Sequence, residues 1–222
     1  GTVPSNLAAI EKLCLEKNKI LILDNASSPV SKFEGRNINA IGNASIGSLH
    51  HTKFLGFGEA GFAVVKTEHY EKFVKLTNFG FSDDRKYNNL ASNAKISDIA
   101  ASFVLSHVES YDLLAHQRVE IKYFDNIRNI PGVEIFNTSP FGSWQNNIIR
   151  GNMAIIFKKP VSHLAFRDVG IEANKYYKPL APLPKSLDLF DQIINLPLHA
   201  GLTDYDLSLI YKKIEVEAKK CV

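Results

Sequence analysis

The chain has 222 residues, 45% of them hydrophobic, ordinary for a globular protein of one or two domains and enough to bury a sizeable core without staples. Its 26 basic and 23 acidic residues leave a net charge of +3 and are scattered, so no basic stripe marks a nucleic-acid binder. No apolar run reaches the ~18 residues of a membrane-spanning helix, and Gly1-Thr2-Val3-Pro4-Ser5 lacks the basic start and apolar centre of a signal peptide. Cys14 and Cys221 stand near opposite ends, and Cys14 lies beside Leu13 and Leu15 on an apolar helical position. A buried, reduced thiol is expected there, and with it a cytoplasmic protein.

Residues 5–17 read as a helix, with Ser5 as cap and Leu7, Ile10, Leu13 and Cys14 at helical spacing. Residues 19–23 are an unbroken apolar run, as in a parallel strand covered on both faces, and it ends at Asp24. Ser27-Ser28-Pro29 closes it, and Phe33-Glu34-Gly35-Arg36 reads as a loop. Ala44 to Leu49 and Phe62 to Val65 are further strands, and Thr67 to Lys75 is a helix. These elements suggest a piece of a three-layer α/β sheet. Asn78 to Lys95, rich in Asn, Gly, Asp and Ser, reads as one long irregular stretch, a length that is usually functional. From Ser97 a helical pattern runs through Ile99, Phe103, His107, Tyr111, Leu114, Arg118, Ile121 and Phe124, until Pro131-Gly132 stops it. We read it as one long connecting helix over 97–130, between a first domain at 1–96 and a small α+β domain at 131–222. In the latter, 147–157 reads as strand, and 162–169, 185–193 and 203–216 as helices.

Lys53 is the most informative residue. It follows Ser48-Leu49-His50-His51-Thr52 at the end of a strand and precedes Gly58-Glu59-Ala60-Gly61. A lone Lys is ordinarily a solvated surface charge. Together, an Asp at one strand end and a Ser and Lys beyond another are the groups a pyridoxal phosphate site needs. The Lys amine forms a Schiff base with the cofactor aldehyde, a carboxylate keeps the pyridine nitrogen protonated, and a hydroxyl meets the phosphate. Taken singly, Asp24 reads equally as the start of a turn with Asn25, and Ser48 as a strand-end residue. His50 and His51 lack a third ligand at metal spacing along the sequence, which sets a zinc site aside. Gly58, Glu59 and Gly61 read as a structural tight turn.

The order of these segments resembles the nucleotide-sugar aminotransferases of the DegT family. The likeness runs through the acidic strand end, the Ser-x-His-x-Thr-Lys segment and the Gly-Glu-x-Gly turn. It continues through Asn78-Phe79-Gly80, Asn93 to Ile99, Gly170-Ile171-Glu172, Tyr177-Lys178-Pro179-Leu180 and Leu196-Pro197-Leu198-His199, over essentially the whole chain. The resemblance implies the fold type I of pyridoxal-phosphate aminotransferases, with part of the large domain followed by the small one. It implies that Lys53 carries the cofactor, Asp24 faces the pyridine nitrogen, Ser48 holds the phosphate and Asn93 reaches the phosphate of a neighbouring subunit in a homodimer with shared sites. The reaction it implies moves an amino group from an amino acid, L-glutamate in the family, to a nucleotide-linked keto-sugar.

Three positions depart from the family pattern. Ser27 stands where relatives carry Gln or His beside the cofactor's 3-hydroxyl, Asn43 where Asp is common, and Ala181 where His is frequent. Relatives also have well over ~100 residues ahead of this point, including a phosphate-cradling turn at a helix N-terminus. Without them the strand at 19–23 would expose a raw apolar edge, and the chain is expected to be a fragment or one half of a split enzyme. The competing reading is a non-catalytic subunit of the same fold.

Overall fold

The computed structural model describes residues 3–4, 6–81, 90–136 and 148–221. Ser5, the middle of the 78–95 stretch and the start of the strand expected from residue 147 lie outside the described residues. The chain divides into two compact units, one reaching Tyr111 and including Ile148 and Ile149, the other beginning at Asp112 and including Arg150 to the C-terminal helix.

In the first unit, α1 (Leu7–Glu16) leads into β1 (Ile22–Asp24). A two-stranded hairpin follows, β2 (Lys32–Phe33) and β3 (Arg36–Asn37), in place of the expected loop. Its turn is Glu34-Gly35, both at positive φ (48° and 76°), the backbone that tight hairpin turns demand. A single 3-10 turn (Ile38–Ala40) then delivers β4 (Ala44–Ser48), and β5 (Gly61–Val65) precedes α2 (Thr67–Thr77). The sheet order is β1-β4-β5, with β1 parallel to β4 and β4 antiparallel to β5. Val3, Leu7, Phe33, Ile38, Ile41 and Ile148 form its buried cluster.

Exposure differs from expectation at β1. The strand pairs with β4 alone among the described residues, Ile20 and Ile22 are 76% and 60% exposed, and Asp24 is exposed. Burial on both faces needs layers on both faces, and the described residues place none over these side chains. Cys14 is half-buried rather than buried, because α1 buries only Leu7.

The continuous helix expected over 97–130 is two helices, α3 (Asp98–Ser110) and α4 (Leu113–Ile127). Tyr111 is extended (φ −70°, ψ 121°), and the Asp112 carboxylate accepts the Ala115 N–H at 2.8 Å. That cap restarts the helix and satisfies one of its first orphan donors. The division between units falls at this break.

The second unit packs α4 and α7 (Asp204–Lys219) with an antiparallel sheet in the order β6-β7-β8. The strands are Val133–Ile135, Met153–Phe157 and Ile193–Leu196, and α5 (Leu164–Arg167) and α6 (Pro184–Gln192) lie between the last two. β7 alternates as a strand with one buried face must: Met153, Ile155 and Phe157 are 1% exposed or less. On α4, His116, Val119, Glu120, Tyr123 and Ile127 are buried at helical spacing. Thr203 caps α7 through a reciprocal pair of bonds with Asp206.

Among these apolar side chains lies a polar knot. Arg150 donates to the Glu120 carboxylate at 2.7 Å, both side chains being 3% exposed. His116 Nε2 lies 2.8 Å from the Arg150 carbonyl oxygen, which can only accept, so Nε2 carries the hydrogen. Burial pushes the His116 imidazole below its ordinary range, although its bond to the Arg150 carbonyl works the other way. Its contribution to stability is therefore complete above the unfolded imidazole's ordinary value of about 6.5 and is lost as pH falls below it, because the unfolded chain takes up that proton more readily. Urea unfolding of the wild type is expected to shift to lower midpoints between pH 7.5 and 5.5. In His116→Gln that slope should flatten, and an unchanged slope would count against this role.

Candidate active site

The parallel pairing of β1 with β4 brings two strand ends together. In register, Asp24 stands opposite Ile46, so Ser48 follows two residues further on, past the same end of the sheet. Ligands of open α/β sheets gather beyond the carboxyl ends of such strands. From β1 the chain turns through residues 25–31, which carry Ser27. From β4 it enters the 49–60 loop, which carries Lys53 and returns as β5.

These two segments meet. Lys53 Nζ lies 3.3 Å from Ser27 Oγ, and Lys53, Ser27 and Ser48 are all half-buried. Asp24 Oδ1 accepts the Ala26 N–H at 3.0 Å, so the turn role foreseen for it is realised. Ser48 Oγ accepts the His50 N–H at 3.3 Å. Asn93 is exposed and bridges to Asn78; its side-chain oxygen, like that of Asn78, accepts from Lys95 Nζ. The structure thus joins Lys53 to Ser27 directly, and holds Asp24 and Ser48 at neighbouring strand ends.

Residues that sequence reasoning passed over hold this arrangement. Asn25 and Ser45 are 4% and 0% exposed. Asn25 Nδ2 donates to Asn39 Oδ1 at 2.9 Å, Asn39 Nδ2 donates to the Pro29 carbonyl at 2.6 Å, and Ser45 Oγ reaches Asn39 at 3.2 Å. The Asn25 N–H also donates to the Ile46 carbonyl at 2.8 Å. This network ties the Ser27-bearing turn to β4. Buried polar groups need such partners, and once paired they pin a turn firmly. Their only sequence signal is a scatter of Asn and Ser, which reads as loop composition.

The Lys53 loop is itself braced. Leu49 N–H donates to the Ala60 carbonyl at 2.9 Å and His51 N–H to the Gly58 carbonyl at 2.8 Å. Gly56 runs so close to this arm that an added Cβ would lie 1.7 Å from the His50 carbonyl oxygen. The ladder sets His50 opposite Glu59, with Nε2 and Oε1 3.1 Å apart. The third group that linear spacing did not supply to the histidines is therefore Glu59, which stands in the turn expected of it.

An amine, a carboxylate and two hydroxyls thus stand at and beyond the carboxyl ends of two parallel strands in an α/β unit. The chain belongs to the DegT/DnrJ/EryC1/StrS aminotransferase family, whose pattern matches residues 1–215. It is 25% identical, over 95% of its length, to the dTDP-4-amino-4,6-dideoxy-D-glucose transaminase of Shigella dysenteriae, and 24% identical, again over 95%, to the GDP-perosamine synthase of Escherichia coli O157:H7. It spans 62% of each of these relatives. The aminotransferase TlmJ of Streptoalloteichus hindustanus superposes with a TM-score of 0.84 at 19% identity, covering 99% of this chain and 64% of that one. The putative sugar aminotransferase Spr1654 of Streptococcus pneumoniae, in its PLP-form, gives 0.78 at 20% identity over 91% of this chain and 58% of that one. The likeness to solved structures establishes the expected fold class. No helix among the described residues is long and apolar enough to cross a membrane.

Proposed function

We propose that this chain carries the lysine-bearing part of a pyridoxal-phosphate aminotransferase. The enzyme would move an amino group from an amino acid, L-glutamate in our reading, to a keto-sugar on a nucleotide. The observation that carries the proposal is the meeting of Lys53 with Ser27 at 3.3 Å, beyond strand ends that also bear Asp24 and Ser48. The donor set fits the cofactor: an amine for its aldehyde, a carboxylate for its ring nitrogen and hydroxyls for its oxygens. When bound, the cofactor supplies a ring that accepts the electron pair of the substrate Cα–H bond.

Each residue then has a task. Lys53 Nζ holds the cofactor and, once released, takes the proton from the substrate Cα. Asp24 keeps a proton on the ring nitrogen, since opposite charges in close contact stabilise each other. Ser48 orients the phosphate, and Ser27 keeps the lysine amine turned towards the site. Asn93, exposed on its own subunit, completes the phosphate contact of a two-fold-related partner in a homodimer with shared sites. The unpaired Cys14 and Cys221 suit the reducing cytoplasm, where we place the reaction. One observation favours the alternative of a non-catalytic subunit: Asp24 Oδ1 is already engaged by its own turn.

Asp24 separates the two readings. In the full-length protein, Asp24→Ala is expected to weaken binding of pyridoxal phosphate, followed by its absorbance, and to slow removal of the Cα proton on the order of 10²–10³-fold, the scale of losing one electrostatic stabiliser. Asp24→Asn keeps the turn acceptor and loses the charge, so it should retain the fold and share the rate defect. Variants matching the wild type in both measurements would reduce Asp24 to a turn residue.

A further inference from the structure

We propose that His50, His51 and Glu59 form a binding site for one divalent cation of the zinc class, bracing the loop that bears Lys53. One ligand atom from each of the three residues lies within 4.8 Å of the others. The His50 and His51 rings are 4.0 Å apart between centroids, tilted by 47°. His50 Nε2 and Glu59 Oε1 are 3.1 Å apart. A tetrahedral ion with ligands at about 2.0–2.1 Å holds its donor atoms roughly 3.3 Å from one another, so this pair already spans one edge of the polyhedron.

The site is organised before any ion arrives. Register at the top of the sheet pairs Ser48 with Gly61. Two further backbone bonds, Leu49 N–H to the Ala60 carbonyl and His51 N–H to the Gly58 carbonyl, carry the ladder outward at 2.9 and 2.8 Å. The histidine arm and the glutamate arm are thereby fixed opposite each other, and Gly58 at φ +66° supplies the turn between Phe57 and Glu59. His50 Nδ1 lies 2.7 Å from Thr52 Oγ1, the kind of outer partner that sets which ring nitrogen faces a metal. Without an ion the Thr52 N–H donates to Nδ1 at 3.3 Å, so the hydrogen sits on Nε2 towards Glu59. An ion takes that position once the hydrogen moves to Nδ1 and is donated to Thr52 Oγ1. His51 and Glu59 are exposed, which leaves an entry path and an open coordination position for water. Two imidazoles and one carboxylate suit zinc, with nickel and copper as competitors, and disfavour magnesium, which demands oxygen ligands. The site lies within this loop alone and is independent of the proposed transaminase reaction.

The experiment titrates the full chain, stripped with a chelator, with Zn²⁺ alone by calorimetry and follows thermal unfolding in parallel. The expected result is one ion per chain and a raised unfolding temperature. His51→Ala and Glu59→Gln, at exposed positions where circular dichroism confirms the fold, should each weaken binding at least tenfold. Thr52→Val should weaken it by about 10–100-fold through the outer partner. His69→Ala, which removes a histidine paired with Glu68 at 3.5 Å outside the loop, should leave binding unchanged. Absence of saturable zinc binding would overturn the proposal and leave His50 and Glu59 as a hydrogen-bonded pair only. Binding that survives both His51→Ala and Glu59→Gln, or that Mg²⁺ matches, would overturn it equally.

Discussion

Lys53→Ala is expected to abolish the visible absorbance of the cofactor-loaded full-length protein that borohydride bleaches, and to cut transamination on the order of 10⁴–10⁶-fold. Losses of that size accompany removal of a residue that forms the covalent link to the reacting group. The fold should survive. Lys53 is half-buried at a site open to ligand, and its one side-chain bond among the described residues is the 3.3 Å contact with Ser27. Lys53→Arg sharpens the test: it keeps a cation beside Ser27, but a guanidinium that stays protonated does not attack an aldehyde. If charge alone mattered, arginine would restore part of the activity; the proposed role requires both variants to be dead. Retention of bleachable absorbance in Lys53→Ala would assign the cofactor to another amine.

Glu120→Ala should be the most destabilising single change in the second unit, by about 3–5 kcal/mol in urea unfolding, because it leaves the Arg150 guanidinium buried without its carboxylate. The pair is 2.7 Å apart with 3% exposure on each side; Glu120 stands on a helix that also buries Tyr123 and Ile127, and the Arg150 guanidinium lies over the Phe124 ring. Burial pushes the Glu120 carboxyl up and the bond to Arg150 opposes this, so the pair pays a desolvation cost that its geometry offsets. Replacing both residues with Met is accordingly expected to recover most of the loss, since an apolar pair of similar volume carries no such cost. A double variant as unstable as Glu120→Ala would show that the knot stabilises through more than its own charge pairing.

Local physics was legible from the sequence alone. Ser97 and Thr203 announce helices because a side-chain oxygen caps backbone donors within three residues. The alternation of Met153, Ile155 and Phe157 announces a half-buried strand for the same short-range reason. The Lys53 segment was legible because its neighbours in sequence are also its neighbours in the ladder between β4 and β5. The Asp112 cap was equally local, but the apolar period continued on both sides of it and hid the break between α3 and α4.

Tertiary structure decided what depends on partners distant in the chain. The exposure of Ile22 is set by which layers cover β1, and the apolar run at 19–23 reads the same with or without them. Ser27 reaches Lys53 only because β1 and β4 run parallel, with 26 residues separating the two in sequence. Asn25 and Asn39 become a brace, Glu59 becomes the third group beside two histidines, and Arg150 becomes the partner of a glutamate on α4, each through such closure. A polar side chain's role is fixed by the few ångströms around it, and it is the fold that brings those atoms near.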